Sequence, residues 1–163
     1  NCSVMIKIYE NVISNPDFYV EEILKKGFYN LPDGDNLFKN VSQKHEDEFY
    51  KFLFKNIDNY KVVLNFVRQS PLGQKEPNYI HTDEMMGDLT AILYLNKKYP
   101  AGYGTTLYDG DNNEVFICKA KYNSLFIFPS SVKHSRNTLH NFGEGNDSRL
   151  VQVAFLNKKN GWF

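Results

Sequence analysis

The sequence lacks the features that would point to secretion or to a membrane. It has two cysteines, Cys2 and Cys118, too few for a disulfide framework, and Cys118 ends an apolar run as a buried thiol would. No apolar run approaches membrane-spanning length, and residues 1–3 do not open a signal peptide. Because the chain does not begin with Met, a trimmed leader stays an open alternative. We expect a protein of the reducing cytoplasm without membrane attachment.

Neither sign of charge is in excess. Lys and Arg together number 19, Asp and Glu together number 19, and the formal net charge is zero. A chain without a basic surplus is not predicted to bind nucleic acid. No internal repeat, low-complexity tract or flexible linker divides the sequence, so we expect one domain over residues 1–163.

Aromatic residues are abundant, with 13 Phe and 11 Tyr, which is typical of a β-rich core. From residue 60 onwards, short β-branched and aromatic runs alternate with turn signals. The first predicted strand, residues 60–68, has Val62, Leu64 and Phe66 on one face. The others are predicted at residues 79–83, 89–95, 105–108, 114–119, 124–128 and 149–157. This pattern favours a mainly β (α+β) fold, a sandwich or jelly-roll barrel with helices on one side.

The first part of the chain, about residues 1–59, is predicted to be a helical support for a jelly-roll core of about residues 60–157. Residues 4–9 form a β-branched run that indicates a first strand. Asn15 and Pro16 then provide an N-cap and a first helical residue, and this helix is expected to end near Lys26 at Gly27. A second helix is predicted at about residues 44–57, with one apolar side made of Phe49, Phe52 and Leu53.

The most informative stretch is His81-Thr82-Asp83, at the end of a predicted strand. Side chains two apart in a strand share a face, so an imidazole and a carboxylate lie side by side. His134 follows another apolar strand, 51 residues after Asp83. A jelly roll brings distant strand ends together, and two His with one carboxylate form the facial set typical of non-haem Fe(II) oxygenases. We expect His81, Asp83 and His134 to bind a metal.

The alternatives to this metal site stay open at this point. His-x-Asp is a frequent chance pattern, and the alternative is a solvated pair at an exposed strand end. His140, six residues beyond His134, competes with it as the third ligand. The remaining histidine, His45, lies in the polar start of the second predicted helix and is expected to be solvated.

Arg149 opens the last predicted strand. If Val151, Val153 and Phe155 line the barrel, period two also turns Arg149 inward. An arginine in an apolar barrel requires an anion, either a protein carboxylate or a ligand carboxylate held bidentately. Tyr94 and Thr90 share a face of their own strand and would also need polar partners. A dicarboxylate that chelates the metal at one end would satisfy all of these groups at the other.

Taken in order, these pieces resemble the 2-oxoglutarate- and Fe(II)-dependent oxygenases, in their prolyl 4-hydroxylase-like branch. The resemblance covers about residues 60–157, and it rests on His81-Thr82-Asp83, Tyr94-Leu95-Asn96, Gly104-Thr105, the Phe128-Pro129-Ser130 run with His134, Arg149, and Phe155-Leu156-Asn157. Two features depart from the family pattern. The usual glycine pair occurs only as Gly102-Tyr103-Gly104, and the interval between His134 and Arg149 is long.

The resemblance implies a double-stranded β-helix (jelly-roll, cupin-like) in which the triad His81, Asp83 and His134 binds Fe(II). It also implies that Arg149 pairs with the distal carboxylate of 2-oxoglutarate, with hydrogen bonds from Tyr94 and Thr90. The expected reaction uses dioxygen to hydroxylate a substrate C–H bond, releasing succinate and CO2. The branch favours a peptidyl, prolyl-type substrate, and a small molecule is the alternative.

Two other classes of function are compatible with the same residues. A cupin-like jelly roll would bind metal at the triad without turning over 2-oxoglutarate, and Arg149 would then pair with a protein carboxylate. A non-enzymatic interaction domain would bind neither metal nor keto acid.

Overall fold

A computed structural model of the chain describes residues 5–28, 47–73, 79–137 and 141–159. Its strands are β1 (Lys7–Tyr9), β2 (Tyr60–Ser70), β3 (Leu89–Tyr94), β4 (Gly104–Tyr108), β5 (Glu114–Lys119), β6 (Ser124–Pro129), β7 (Lys133–Arg136) and β8 (Arg149–Lys158). Its helices are α1 (Pro16–Lys26) and α2 (Glu48–Asn56), and a short 3-10 turn spans Gly145–Asp147. None of the helices within these ranges has the combined length and hydrophobicity needed to cross a membrane.

The strands form two antiparallel sheets. The larger sheet has the order β1-β6-β3-β8-β2, and the smaller has the order β5-β4-β7. From β3 to β8 the chain passes repeatedly between the two sheets, so strands remote in sequence become neighbours. This is the double-stranded β-helix, and it confirms the predicted mainly β fold with two helices.

The first helix begins at its predicted N-cap, and the second begins at an N-cap that was not predicted. The Asn15 side chain accepts a hydrogen bond from Phe18 N, Pro16 is the first helical residue, and Gly27 caps the end of α1. The predicted second helix is observed as α2, where Asp47 is the N-cap and accepts a hydrogen bond from Tyr50 N. The part of that prediction before residue 47 lies outside the described residues.

Two apolar clusters divide the interior. The first lies between the helices and the outer face of the larger sheet, and its members include Phe49 and Leu53 of α2 and Leu93 of β3. The second lies between the two sheets, and its members are Tyr94, Leu107, Cys118, Phe126, Phe128 and Val151. Cys118 is buried as predicted, and this burial raises the pKa of its thiol to about 11.

Three local expectations failed. The segment predicted as a strand at residues 79–83 pairs only through an isolated bridge at His81. Val62 does not share a face with Leu64 and Phe66, because the β2–β8 register shifts between Val62 and Leu64 and Val62 packs in the helix-side cluster. Strand β7 was not predicted, because its sequence Lys-His-Ser-Arg has no apolar alternation. Its extended conformation depends on pairing with β4.

A polar group lies within the otherwise apolar layer beneath the helices. Gln152 of β8 is 1% exposed, and its Nε2 donates to Asp47 Oδ2 (3.0 Å) and to Asn65 Oδ1 (2.8 Å). The Tyr19 hydroxyl donates to Gln152 Oε1. Because a buried amide without partners is costly, these bonds fix the register of β8 against β2 and the helices.

Gly104, at the start of β4, provides a test of this packing. A Cβ at this position would lie 2.0 Å from the Cys118 carbonyl oxygen of β5. We expect Gly104→Ala to lower the free energy of unfolding by about 3 kcal/mol, since the two backbones must separate. Gly110→Ala is the control, because a Cβ there meets no heavy atom within 4 Å. Urea unfolding of both variants makes the comparison, and equal midpoints would contradict it.

Candidate metal centre

The two segments that bear the predicted ligands are joined by backbone hydrogen bonds. His81 N donates to His134 O (3.0 Å), and His134 N donates to His81 O (2.9 Å). Two residues after His81, Asp83 N donates to Ser130 O (2.8 Å). His81 forms an isolated bridge beside β7 rather than a full strand. The backbone therefore places all three side chains at one edge of the smaller sheet.

The three side chains converge on a small volume. His134 Nε2 lies 2.9 Å from Asp83 Oδ2, and His81 Nε2 lies 3.6 Å from Asp83 Oδ1. One ligand atom from each residue lies within 4.8 Å of the others. Two imidazoles and one carboxylate on a single side leave the opposite side open to further ligands.

The second nitrogen of each imidazole determines which atom faces the site. His81 Nδ1 lies 2.8 Å from Tyr79 O, and His134 Nδ1 lies 2.9 Å from Val132 O. A carbonyl oxygen can only accept, so both Nδ1 atoms donate and both Nε2 atoms present lone pairs to the site when neutral. Lone pairs directed at a carboxylate repel it unless a cation lies between them. The donor set therefore fits a divalent metal.

The electrostatics of Asp83 favour its ionised form. Burial acts against ionisation, but, with the imidazoles in their protonated form, the hydrogen bond with His134 and the charges of His134, His81 and Arg68 outweigh it. The pKa of Asp83 consequently lies below its ordinary value. His134 is almost fully buried, whereas the His81 side chain is 35% exposed, so the site opens to solvent on the His81 side.

Arg149 lies inside the barrel, as predicted. It is 7% exposed and lies on the same face of β8 as Val151, which packs between the sheets. Its guanidinium carbon is 5.9 Å from the centre of the Tyr103 ring, and its Nη1 donates to Ser70 Oγ at 3.5 Å. A buried guanidinium is suited to binding the carboxylate of an anionic ligand.

Asn96 holds the backbone on both sides of Arg149, a role that the sequence did not assign. Its Nδ2 donates to Ser148 O (2.9 Å), and its Oδ1 accepts from Leu150 N (2.8 Å). Asn96 follows directly after the Tyr94-Leu95 pair of the quoted pattern. The amide therefore positions Arg149 from the end of β3.

Tyr94 and Thr90 both lie inside the barrel with partners in the protein. The Tyr94 hydroxyl lies 2.7 Å from Thr105 Oγ1, and burial raises its pKa well above the ordinary value. Thr90 Oγ1 lies 2.8 Å from Ser130 Oγ. Contacts of either hydroxyl with 2-oxoglutarate stay a prediction. The rival ligand His140 lies outside the described residues.

Three solved structures of similar fold can be compared with the chain. One is a prolyl hydroxylase from Trichoplax adhaerens in complex with a hypoxia inducible factor peptide, 16% identical, covering 93% of this chain and 82% of its own, with a TM-score of 0.59. Another is a viral collagen prolyl hydroxylase from Paramecium Bursaria Chlorella virus-1 with 2-oxoglutarate, 15% identical, covering 95% and 96%, with a TM-score of 0.57. The third is a non-haem α-ketoglutarate-dependent carbocyclase from nogalamycin biosynthesis, 13% identical, covering 93% and 78%, with a TM-score of 0.57.

These similarities show that the chain has the fold of the 2-oxoglutarate- and Fe(II)-dependent oxygenases, in its prolyl hydroxylase-like form. The predicted resemblance is confirmed at the level of the fold. No protein-family model matches the sequence, and no curated protein matches it.

Metal binding by the triad can be measured through stability. We expect Mn(II) at a hundredfold excess over its Kd to raise the melting temperature of metal-stripped protein by about 5–10 °C, because it binds only the folded state. His81→Ala, Asp83→Ala and His134→Ala should each abolish this rise, measured against the metal-free melting temperature of the same variant. His140→Ala should retain it. The reverse result for the two histidines would make His140 the third ligand.

Proposed function

We propose that this protein is a non-haem Fe(II)- and 2-oxoglutarate-dependent dioxygenase that hydroxylates a substrate C–H bond. The observation that carries the proposal is the convergence of His81, Asp83 and His134 beside a barrel interior that also contains the buried Arg149. A metal site alone would not require an arginine in that interior. The pairing of a metal triad with a buried cation fits a ligand that chelates at one end and carries a carboxylate at the other.

The chain's own residues have distinct tasks in this reaction. His81 Nε2, His134 Nε2 and an Asp83 oxygen hold Fe(II), and the Tyr79 and Val132 carbonyls keep both rings in the required tautomer. Arg149 binds the distal carboxylate of 2-oxoglutarate and so orients its keto-acid end. When bound, iron and 2-oxoglutarate supply the oxidative chemistry that uses dioxygen and releases succinate and CO2.

The walls of the barrel exclude water from the keto-acid pocket. Phe126, Phe128 and Val151 are fully or almost fully buried between the sheets. Removal of water strengthens the attraction between Arg149 and a carboxylate, since the local dielectric constant is lower than in solution. The open His81 side leaves room for the substrate.

For the substrate we propose a peptide hydroxylated at a prolyl-type residue. Exposed apolar side chains lie close to His81 and Asp83 in the sequence. Tyr79, before His81, is 60% exposed, and Met85 and Met86, after Asp83, are 97% and 46% exposed. Such a rim offers contact area to an extended chain crossing the site. One of the compared structures is a prolyl hydroxylase in complex with a peptide, which supports the same choice. The nearby aromatic residue Tyr103, in contrast, is buried and cannot contact a peptide at the surface.

Turnover tests the proposal directly. We expect succinate to form from 2-oxoglutarate only when Fe(II) and dioxygen are both present, and proline-containing peptides to increase the rate. If a free amino acid or another small molecule increases the rate and peptides do not, the substrate is a small molecule and not a peptide. Metal binding without succinate formation under any condition would favour a cupin-like metal protein.

Arg149→Gln separates keto-acid binding from metal binding. We expect the Kd of 2-oxoglutarate for the Mn(II)-loaded protein to rise about 100-fold, because a buried charge pair is lost. The melting-temperature rise caused by Mn(II) alone should be unchanged, since Arg149 is not a metal ligand. Calorimetric titration measures the first quantity and thermal unfolding the second. An unaltered Kd would contradict the binding of 2-oxoglutarate by Arg149.

A further inference from the structure

The hydroxyl of Tyr103 is a buried polar group whose hydrogen bond is not made within the described part of the protein. The residue is 3% exposed, and its hydroxyl is shielded from solvent with no hydrogen-bond partner among the described residues. Buried tyrosine hydroxyls usually find a partner, because an unsatisfied one forfeits the hydrogen bonds that water would have made. By contrast, the neighbouring Tyr94 and Tyr99 hydroxyls bond to Thr105 Oγ1 and to Asn96 N.

The Tyr103 ring is held firmly in place. It stacks on Tyr99 with ring centres 5.7 Å apart, and it meets the edge of Phe142 at 5.0 Å. Phe142 O in turn accepts a hydrogen bond from Arg149 N. These contacts fix the ring beside the Arg149 guanidinium, so the hydroxyl is ordered before any ligand arrives.

The flanking sequence accounts for this placement. Tyr103 stands between Gly102 and Gly104, where the resembled family usually has two adjacent glycines. Gly102 adopts a φ of 78°, a left-handed conformation that glycine accommodates without strain, and Gly104 passes too close to Cys118 O for any side chain. The two glycines therefore allow the chain to turn a large aromatic residue into the barrel.

We propose that the Tyr103 hydroxyl donates a hydrogen bond to the distal carboxylate of the keto acid that Arg149 binds. This inference rests on the proposed function and adds a binding residue that the sequence pattern did not include. A carboxylate is the partner of choice, since Arg149 draws an anion to this position and a carboxylate oxygen accepts from both groups at once.

Tyr103→Phe tests the hydroxyl alone. We expect the Kd of 2-oxoglutarate for the Mn(II)-loaded protein to rise about tenfold, the effect of one hydrogen bond to a charged group. 2-Oxovalerate chelates metal through the same keto-acid end but ends in a methyl group, so its Kd should not change. The control variant is Tyr122→Phe, which removes a hydroxyl that donates to Asp17 Oδ1 in the first turn of α1, and it should change neither Kd.

The ligand-free protein offers a second readout. Because the Tyr103 hydroxyl is buried without a partner, its removal should raise the melting temperature of the metal-free protein by about 2–4 °C. Tyr122→Phe, which removes a bonded hydroxyl, should not raise it. A gain in stability coupled to a loss of keto-acid affinity is the signature of a group kept for binding rather than for folding.

The outcomes separate this inference from the proposed function. If wild-type protein with Mn(II) binds 2-oxoglutarate and Tyr103→Phe binds it equally well, the role of Tyr103 is overturned and the oxygenase stands. Equal weakening of 2-oxoglutarate and 2-oxovalerate, or an unraised melting temperature, also overturns it. If the wild-type protein does not bind 2-oxoglutarate, both proposals fail together.

Discussion

The structure depends on one short antiparallel contact, the pair of reciprocal backbone hydrogen bonds between His81 and His134. The two residues come from parts of the chain separated by four strands, and only pairing between β7 and its neighbours brings them together. A register change of one residue would turn one imidazole to the opposite face. The candidate metal ligands are therefore brought together by the backbone, with one ligand atom of each residue within 4.8 Å of the others.

The candidate site draws its residues from both sheets. The larger sheet contributes Arg149 and Tyr94, while the smaller sheet contributes His134. Asn96 connects the end of β3 to the start of β8, and Asp83 is tied to Ser130 after β6. Each charged group is thus held by backbone contacts from a different strand, which is the rigidity that a preorganised site requires.

Much of the fold could be predicted from the sequence, because local signals and packing agree over most of it. The Asn15 cap, Gly27 and the apolar, β-branched strand β5 follow elementary rules, and β5 was predicted with the observed bounds. The predictions that failed concern features that depend on tertiary contacts. Strand β7 has no apolar period of its own, and the displacement of Val62 comes from a bulge that only the β2–β8 pairing reveals.

The candidate site shows the same division. The triad and Arg149 carry residue types and spacings that are readable in one dimension, and the structure brings the three ligands together. The contributions of Asn96, Ser70 and Tyr103 are not readable in this way. An amide, a hydroxyl and a phenol are common everywhere in a chain, and their significance comes from what lies next to them.

The buried Gln152 network lies on the helix side of β8, opposite the face that carries Arg149. Gln152 finds its partners Asp47 and Asn65 in one alignment of the strand only, and that alignment is the one that turns Arg149 into the barrel. The hydrogen bonds on one face of β8 therefore determine which side chains lie on its other face. Substitutions beneath the helices, a full sheet thickness from His81, Asp83 and His134, would therefore alter the strand alignment that places Arg149 inside the barrel.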